Sequence, residues 1–563
     1  MNRKLVLALA LTLLVGLLSV AFNVQRAKAT GTIYIRADGS IDPPTTPIST
    51  LDNVTYTFTG NINDSIVVER DNIVLDGATY TVQGTGIYYS KGIDLSTRSN
   101  VTIKNTTIKN YGYGIYLYDS LNNHISGNNI GTLNENGIML INSTGNSISG
   151  NNITYNLPGA GIIFFSSSNS SIVGNNITYN QYGIYFSFGC SGNSISGNKF
   201  INNGLFVSDS YQTSVENNTV NGKPLVYLEE ASDYTVDDAG QVVLVRCENI
   251  RVEGLNLSGI DDGIELWETS NSTISGNNIA NSKWYAIRLE SSSNYNIISG
   301  NNIGAYNYFG IRLESSSNNS ISENNIINNT YGIELDGSLN NISGNNIMNN
   351  FRGIKLSSSN NGIFHNNFVN NNKQVFFFTP DCTDVWDEDY PSGGNYWSDY
   401  NGTDANHDGI GDSEYTVGRH VIDADDNNDR YPLMGMFTGF NANSEYHVQT
   451  ICNSTISDFQ YNGTAMSFDV SGENGTTGFC RICIPTALMN ATYRVFVNGT
   501  EVSYNLLLSS NEAYSYVYFN YTHSTQEVII IPEFPSFLIL PLFMTLAVFA
   551  ACVKRKTMRR QSG

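Results

Sequence analysis

One plan recurs from about Gly92 to Phe368, and it decides what this chain can fold into. The stretch Phe309 to Thr330, FGIRLESSSNNSISENNIINNT, shows it whole: a Gly-Ile-x-Leu strand, a Ser/Asn-rich turn, an Ile-centred strand and a second Asn-rich turn. Strands of the same kind open at Gly114, Gly137, Gly161, Gly183 and, in degenerate form, Gly204; a second series opens at Gly263, Ala286, Gly310, Gly332 and Gly353. The steps are 23, 24, 22 and 21 residues in both series, which suggests a duplicated block. A period of this length means stacked coils, each burying its apolar face on its neighbours, and not one globular core.

Strand side chains alternate, so the Ile and Leu of GIxL share one face and the x positions the other. Ile must stack on Ile and Leu on Leu along the axis, and the Ile of ISGNNI does the same from the next wall. Asn at the turns tolerates left-handed backbone and can bond to the Asn of the adjoining coil. Ladders are expected through Asn128, Asn151, Asn175 and Asn198, then Asn277, Asn301, Asn324, Asn345 and Asn366. The fold class this implies is all-β: a right-handed parallel β-helix, a solenoid, followed by a small β-sandwich. A signal peptide is expected in front and a transmembrane helix behind.

Residues 1–29 read as the signal peptide: Arg3 and Lys4 precede an apolar run, and Ala27-Lys28-Ala29 fits a cleavage site. Residues 30–90 read as an N-terminal cap with opening strands, since the first coil would otherwise expose unpaired edges. Residues 91–378 are the β-helix. It is interrupted by a lateral insert at about 221–240 that lacks the Asn turns and is expected to project from the rod. Residues 379–436, acidic and aromatic, read as a C-terminal cap, and 437–531 as the sandwich. Residues 532–563 hold Pro532-Glu533-Phe534-Pro535, an apolar run from Phe537 to Val553 and a basic tail. The basic tail stays cytoplasmic, which puts the body on the extracellular face of the membrane, C-terminally anchored.

The chain of 563 residues has a formal charge of −21. Nine of its 29 basic residues lie in the two termini and all 50 acids lie between them, so the body is more acidic still. Such a surface repels nucleic acid. Seven scattered cysteines argue against a disulfide framework; Cys480 and Cys483 form a lone CxxC, read as a disulfide or as two buried thiols.

Several segments together resemble the NosD-type β-helix family, also called periplasmic copper-binding, with its CASH repeats. They are the GIxL…SSSNNxISGNNI coils, NGKPLVYL…AGQVVLVRCENI, and YPSGGNYWSDYNGTDANHDGIGD with DNNDRYPLMG. The likeness covers roughly residues 32–436. The family name implies copper, but six His and no His/Met/Cys cluster at ligand spacing leave copper unsupported here. TGFCRICIP and YTHSTQEVIII look like a sandwich domain of archaeal surface proteins. PEFPSFLILPLFM resembles archaeal PEF-type sorting signals, which implies a sorting enzyme acting near Pro532 to Pro535.

Three constellations can carry chemistry. Asp404, Asn406, Asp408, Ile410 and Asp412 place alternating oxygens around a Gly turn, as a Ca²⁺ loop does, although the twelfth position is Tyr415 in place of Glu. The x positions of the GIxL strands form an outward column. It includes Tyr116, Tyr118, Phe165 and Tyr185 in the first block, then Trp267, Arg288, Glu290, Arg312 and Glu314 in the second. Aromatic faces there suit the apolar faces of sugars. Asp261 and Asp262 with Glu265 resemble the acid pairs of β-helix glycosidases, but the Gly-His-Gly and Arg-x-Lys motifs are missing, and a turn pair before Gly263 is the simpler reading. The expected role is binding of polysaccharide, or adhesion at the cell envelope, without catalysis. The alternative is a polysaccharide lyase, glycoside hydrolase or epimerase.

Overall fold

The computed structural model describes residues 31–379, 382–418, 427–489 and 492–533. The expected signal peptide, the apolar run from Phe537 to Val553 and the basic tail lie outside the described residues. Every regular element among the described residues is a β-strand, and none of their helices is long and apolar enough to cross a membrane. They form two units: residues 31–340 with 350–357, and residues 341–349 with 358–533.

The first unit is a parallel β-helix built from the repeat as its chemistry dictates. In the first block the GIxL strands pair in register, Ile115 on Ile138, Ile162, Ile184 and Leu205, and Leu117 on Leu140, Phe164, Phe186 and Val207. All ten are at most 2% exposed. A second wall stacks Ile103, Ile125, Ile148, Ile172 and Ile195, and a third stacks Ile108, Ile130, Ile153, Ile177, Phe200 and Val220. Each buried side chain of this size stabilises by about 1.5–3 kcal/mol, which is how a slender coil holds together.

The Asn ladders are present. Asn128 donates from its amide nitrogen to Asn151 Oδ1 at 3.0 Å and to the Ile103 carbonyl at 3.0 Å, and its backbone N–H reaches the same Asn151 oxygen at 2.9 Å. Asn151, Asn175, Asn277 and Asn301 repeat this pattern. The left-handed backbone sits one residue earlier than expected, at Gly127, Gly150, Gly174 and Gly197, with φ between 61° and 65°. The ladder Asn turns into the coil because the preceding glycine absorbs the bend.

The insert corrects two expectations. It does not project: Lys223–Glu229 folds back on Thr219–Val220 as an antiparallel pair, and Gln241–Val245 then lies parallel to it. The GIxL strands of the second block therefore extend the third wall of the first block, while the first block's GIxL wall ends at Leu205–Val207. The reversal also exchanges faces. Val220, in the first block's core, is in register with Lys223, and Leu225 on that same face is in register with Gln241. The same face continues through Val243 to Glu265, Arg288, Arg312, Glu334 and Lys355. With both blocks winding right-handed, a reversed strand puts the coil interior on the opposite side of the shared sheet. The outer column of block two thus continues the inner face of block one, and the two outward columns are not one wall.

In the second unit, Phe368 pairs with Trp397 and stacks on it at 4.3 Å, and Trp397 donates to Asp429 at 2.8 Å. Two five-stranded antiparallel sheets follow, built from strands between Met436–Asn441 and Gln526–Pro532. Phe468, Val470, Val495 and Val528 of one sheet and Val448, Ile482, Val517 and Phe519 of the other share one buried core.

Candidate functional site

Where the first GIxL wall ends, its last strand has unpaired backbone groups, and burying those costs free energy unless they are satisfied. Side chains from the second block satisfy them and backbone groups next to them. Gln241 accepts from the Leu205 N–H at 2.9 Å and donates to the Leu205 carbonyl at 2.8 Å. Asp261 accepts from the Gly183 N–H at 3.2 Å, and Glu265 from the Val207 N–H at 3.4 Å. Lys283 donates to the carbonyls of Asn180 and Asn202. Gly204 leaves room for these side chains: a Cβ there would lie 2.1 Å from Gln241 Oε1 and 2.7 Å from Asp261 Oδ1 and would displace them.

Asp261 and Asp262 are fully buried and Glu265 is 4% exposed. Asp262 accepts from the Tyr285 N–H at 3.2 Å, and its other oxygen faces Arg288 Nη1 at 3.7 Å. Arg288 pairs with Glu290 and lies 4.4 Å over the Phe206 ring. Burial drives the Asp262 carboxyl up to about 8, against the pull of Arg288 and with help from Asp261. Burial also raises Asp261 and Glu265, the latter further because Asp262 adjoins it. The three weak catalytic candidates do come together, but around a closed strand end, with Asp261 and Glu265 bonded to backbone amides.

Away from the junction the wall is exposed unevenly: Arg312, Glu314 and Lys355 reach solvent, while Phe309 and Glu334 stay buried. Arg312 bonds the Tyr285 hydroxyl at 2.6 Å, pairs with Glu314 at 2.7 Å and lies 3.4 Å from Glu334, which also pairs with Lys355. Beside this charged strip runs an aromatic one. Tyr285, Phe309 and Tyr331 stack at 5.1 and 4.7 Å, and Trp284 and Tyr308 meet edge-on at 5.3 Å. Tyr182 of the first block stacks on Trp284 at 6.1 Å.

The other expected ligand-binding residues divide by block. Trp267, Arg288 and Glu290 were expected to face solvent and are buried, at 8%, 6% and 5% exposure, because the end of the first block covers them. Trp267 donates to the Tyr211 hydroxyl at 2.9 Å. In the first block the outward residues largely engage one another. Lys91 sits 3.8 Å over Tyr116, Phe165 meets Tyr185 at 6.2 Å, and Tyr185 stacks on Phe206 at 4.6 Å, while Tyr118 is 40% exposed.

In the acidic loop, Asp404 accepts from the N–H groups of Asp408 at 3.0 Å and Gly409 at 2.9 Å. Asp408 accepts from Ile410 N–H at 2.9 Å and from Asn406 at 3.1 Å, and Asp412 from Ala405 N–H at 2.7 Å. Burial raises the Asp404 carboxyl. No group of three or more metal-ligating side chains occurs among the described residues.

Gln241, Lys283, Tyr182 and Trp284 escaped sequence reading. The available signal was Lys283, a cation where Asn134, Asn180, Asn307, Asn329 and Asn350 stand in other coils, together with the truncated GLFV copy at Gly204.

The family description "Periplasmic copper-binding protein (NosD)" matches residues 212–402, and "Right handed beta helix region" matches 49–156 and 91–240. No curated protein matches the chain. Among solved structures, the tailspike protein of E. coli bacteriophage HK620, solved with a pentasaccharide, is 10% identical over 86% of this chain and 82% of its own, with a TM-score of 0.30. The Dettilon tailspike protein is 13% identical over 83% and 87%, TM-score 0.24. A surface adhesin of Streptococcus pneumoniae is 19% identical over 52% and 72%, TM-score 0.23. Strand order, register and the matched family descriptions agree: this chain is a right-handed parallel β-helix protein.

Proposed function

We propose that the second-block wall binds polysaccharide, without catalysis, and that the protein does so at the cell surface. One observation carries the reading: the aromatic strip Trp284, Tyr285, Tyr308 and Tyr331, packed on the buried Phe309, runs beside the partly exposed Glu314, Arg312 and Lys355, the last two held in place by the buried Glu334. Aromatic faces take the apolar faces of sugars, and paired guanidinium and carboxylate groups bond hydroxyls on either side. Coils rise about 4.8 Å each, so the strip offers a repeating set of contacts to a repeating chain. Glycan retention by the full chain, without new chain ends, tests the reading.

The alternative, a lyase, hydrolase or epimerase, draws on Asp262, Glu265 and Glu290 beside Arg288. Their burial, and the use of Glu265 in closing the first block, weigh against it, and release of new chain ends would favour it.

The remaining proposals rest on sequence. NosD-type membership rests on the match over 212–402. Export, anchoring by the C-terminal helix and processing near Pro532 to Pro535 rest on the two termini. We read the two-sheet unit of 437–531 as a β-sandwich. Ca²⁺ at Asp404, Asn406, Asp408, Ile410 and Asp412 rests on the spacing of those oxygens.

A further inference from the structure

The CxxC of the two-sheet unit does not pair with itself. Cys480 and Cys483 lie on one strand, Thr477–Pro485, where three residues span about 10 Å, and a disulfide needs Cα atoms within about 7 Å. They also face opposite sides of their sheet. Cys480 instead stands directly opposite Cys452 on the neighbouring antiparallel strand His447–Cys452. Directly opposed residues have Cα atoms about 4.5–5.5 Å apart, inside the disulfide range. Both thiols are buried, at 1% and 0% exposure, in one core.

The two sulfurs share one hydrogen-bonded setting in the folded core. Cys452 contacts the Tyr521 hydroxyl at 3.3 Å, and Tyr521 bonds Ser454 at 2.6 Å, which bonds His523 at 2.7 Å. Burial alone would push the Cys452 thiol up; hydrogen bonds from Cys480, Tyr521 and Ser454 outweigh it and bring it down to about 7. Burial pushes the neighbouring Cys480 thiol well above its usual range, so the exchange belongs to folding and not to the closed core.

We propose that Cys452 and Cys480 form a cross-strand disulfide that closes the core of this unit. The Cys452 thiolate attacks an external disulfide, RS–SR, and expels one RS⁻. The Cys480 thiolate then attacks the mixed disulfide and expels the second. Two protein thiols are oxidised, one external disulfide is reduced to two thiols, and the two protons pass to solvent or to the leaving thiolates. Exchange occurs during folding, before the strands bury both sulfurs.

The test is refolding of the reduced full chain in a buffer of oxidised and reduced glutathione, so it does not depend on where the protein resides. Free thiols are then alkylated and the peptides mapped by mass spectrometry. The expected result is a peptide pair joining Cys452 to Cys480. It should be lost in Cys452→Ser and in Cys480→Ser but kept in Cys483→Ser. Reduction should lower the melting transition of the two-sheet unit by roughly 10 °C. Alkylation of both thiols, or a bridge to Cys483 or to any other cysteine, overturns the proposal.

Discussion

The two blocks of the first unit share a core code and differ in what the outer face of their GIxL walls meets. In block one the outer column is aromatic, and its rings stack on one another or under Lys91. In block two the column is charged, and its first members lie under the end of block one. The difference follows from one antiparallel turn, Val220 against Lys223, which exchanges inside and outside. Charge that looks like surface decoration in sequence is, at the junction, the means of satisfying a strand end.

The sharpest way to break this comparison is to remove the junction charges one at a time. Asp261→Ala leaves the buried Gly183 and Asp262 N–H groups without their acceptor and the half-buried Lys283 without a neighbouring carboxylate, and should destabilise by about 3–5 kcal/mol in denaturant unfolding. Tyr116→Ala in block one, which removes only a half-buried ring, should cost far less. Equal losses would mean that the junction is not special.

A smaller loss is expected inside either block. Asn301→Ala deletes an amide that bonds the Ile274 carbonyl and Asn324, and that accepts from Asn277, and should cost about 2–3 kcal/mol. The same substitution at Asn151 should cost the same, since the ladder is common to both blocks.

The junction should also show in pH dependence. The folded Asp262 carboxyl titrates at about 8, above its unfolded value near 3.9, so its stabilising contribution is complete below about pH 4 and is lost as pH rises to 8. Unfolding midpoints measured across that window should fall with rising pH, and Asp262→Asn should flatten the slope. An unchanged slope would remove Asp262 as its source. The smallest expected effect is at the acidic loop, where Ca²⁺ should give binding heat by calorimetry that Asp404→Asn with Asp408→Asn abolishes. Heat that survives both changes would place the ion elsewhere.

The rod was legible because Ile, Leu and Asn recur at fixed offsets and each has one physical job. The face exchange was not, because nothing local in Asn221, Gly222 and Lys223 says on which side the next coil will close. For the same reason Asp261, Asp262 and Glu265 could be picked out as a group while their environment could not. Their burial depends on Leu205–Val207, some 55 residues earlier, which is a contact no spacing rule reaches. Cys480 illustrates the same limit at shorter range: its sequence neighbour Cys483 is conspicuous, and its spatial neighbour Cys452 is not.

The central claim is that the open part of the second-block wall, and not the first-block column, holds polysaccharide. A glycan-array screen of the full chain, followed by titration of the best ligand, tests it directly. Trp284→Ala with Tyr308→Ala should weaken binding about tenfold or more, the loss of about 1.4 kcal/mol or more of contact, while Tyr116→Ala with Tyr118→Ala leaves it within about twofold. Binding that is unchanged by the first pair and lost with the second would contradict the account.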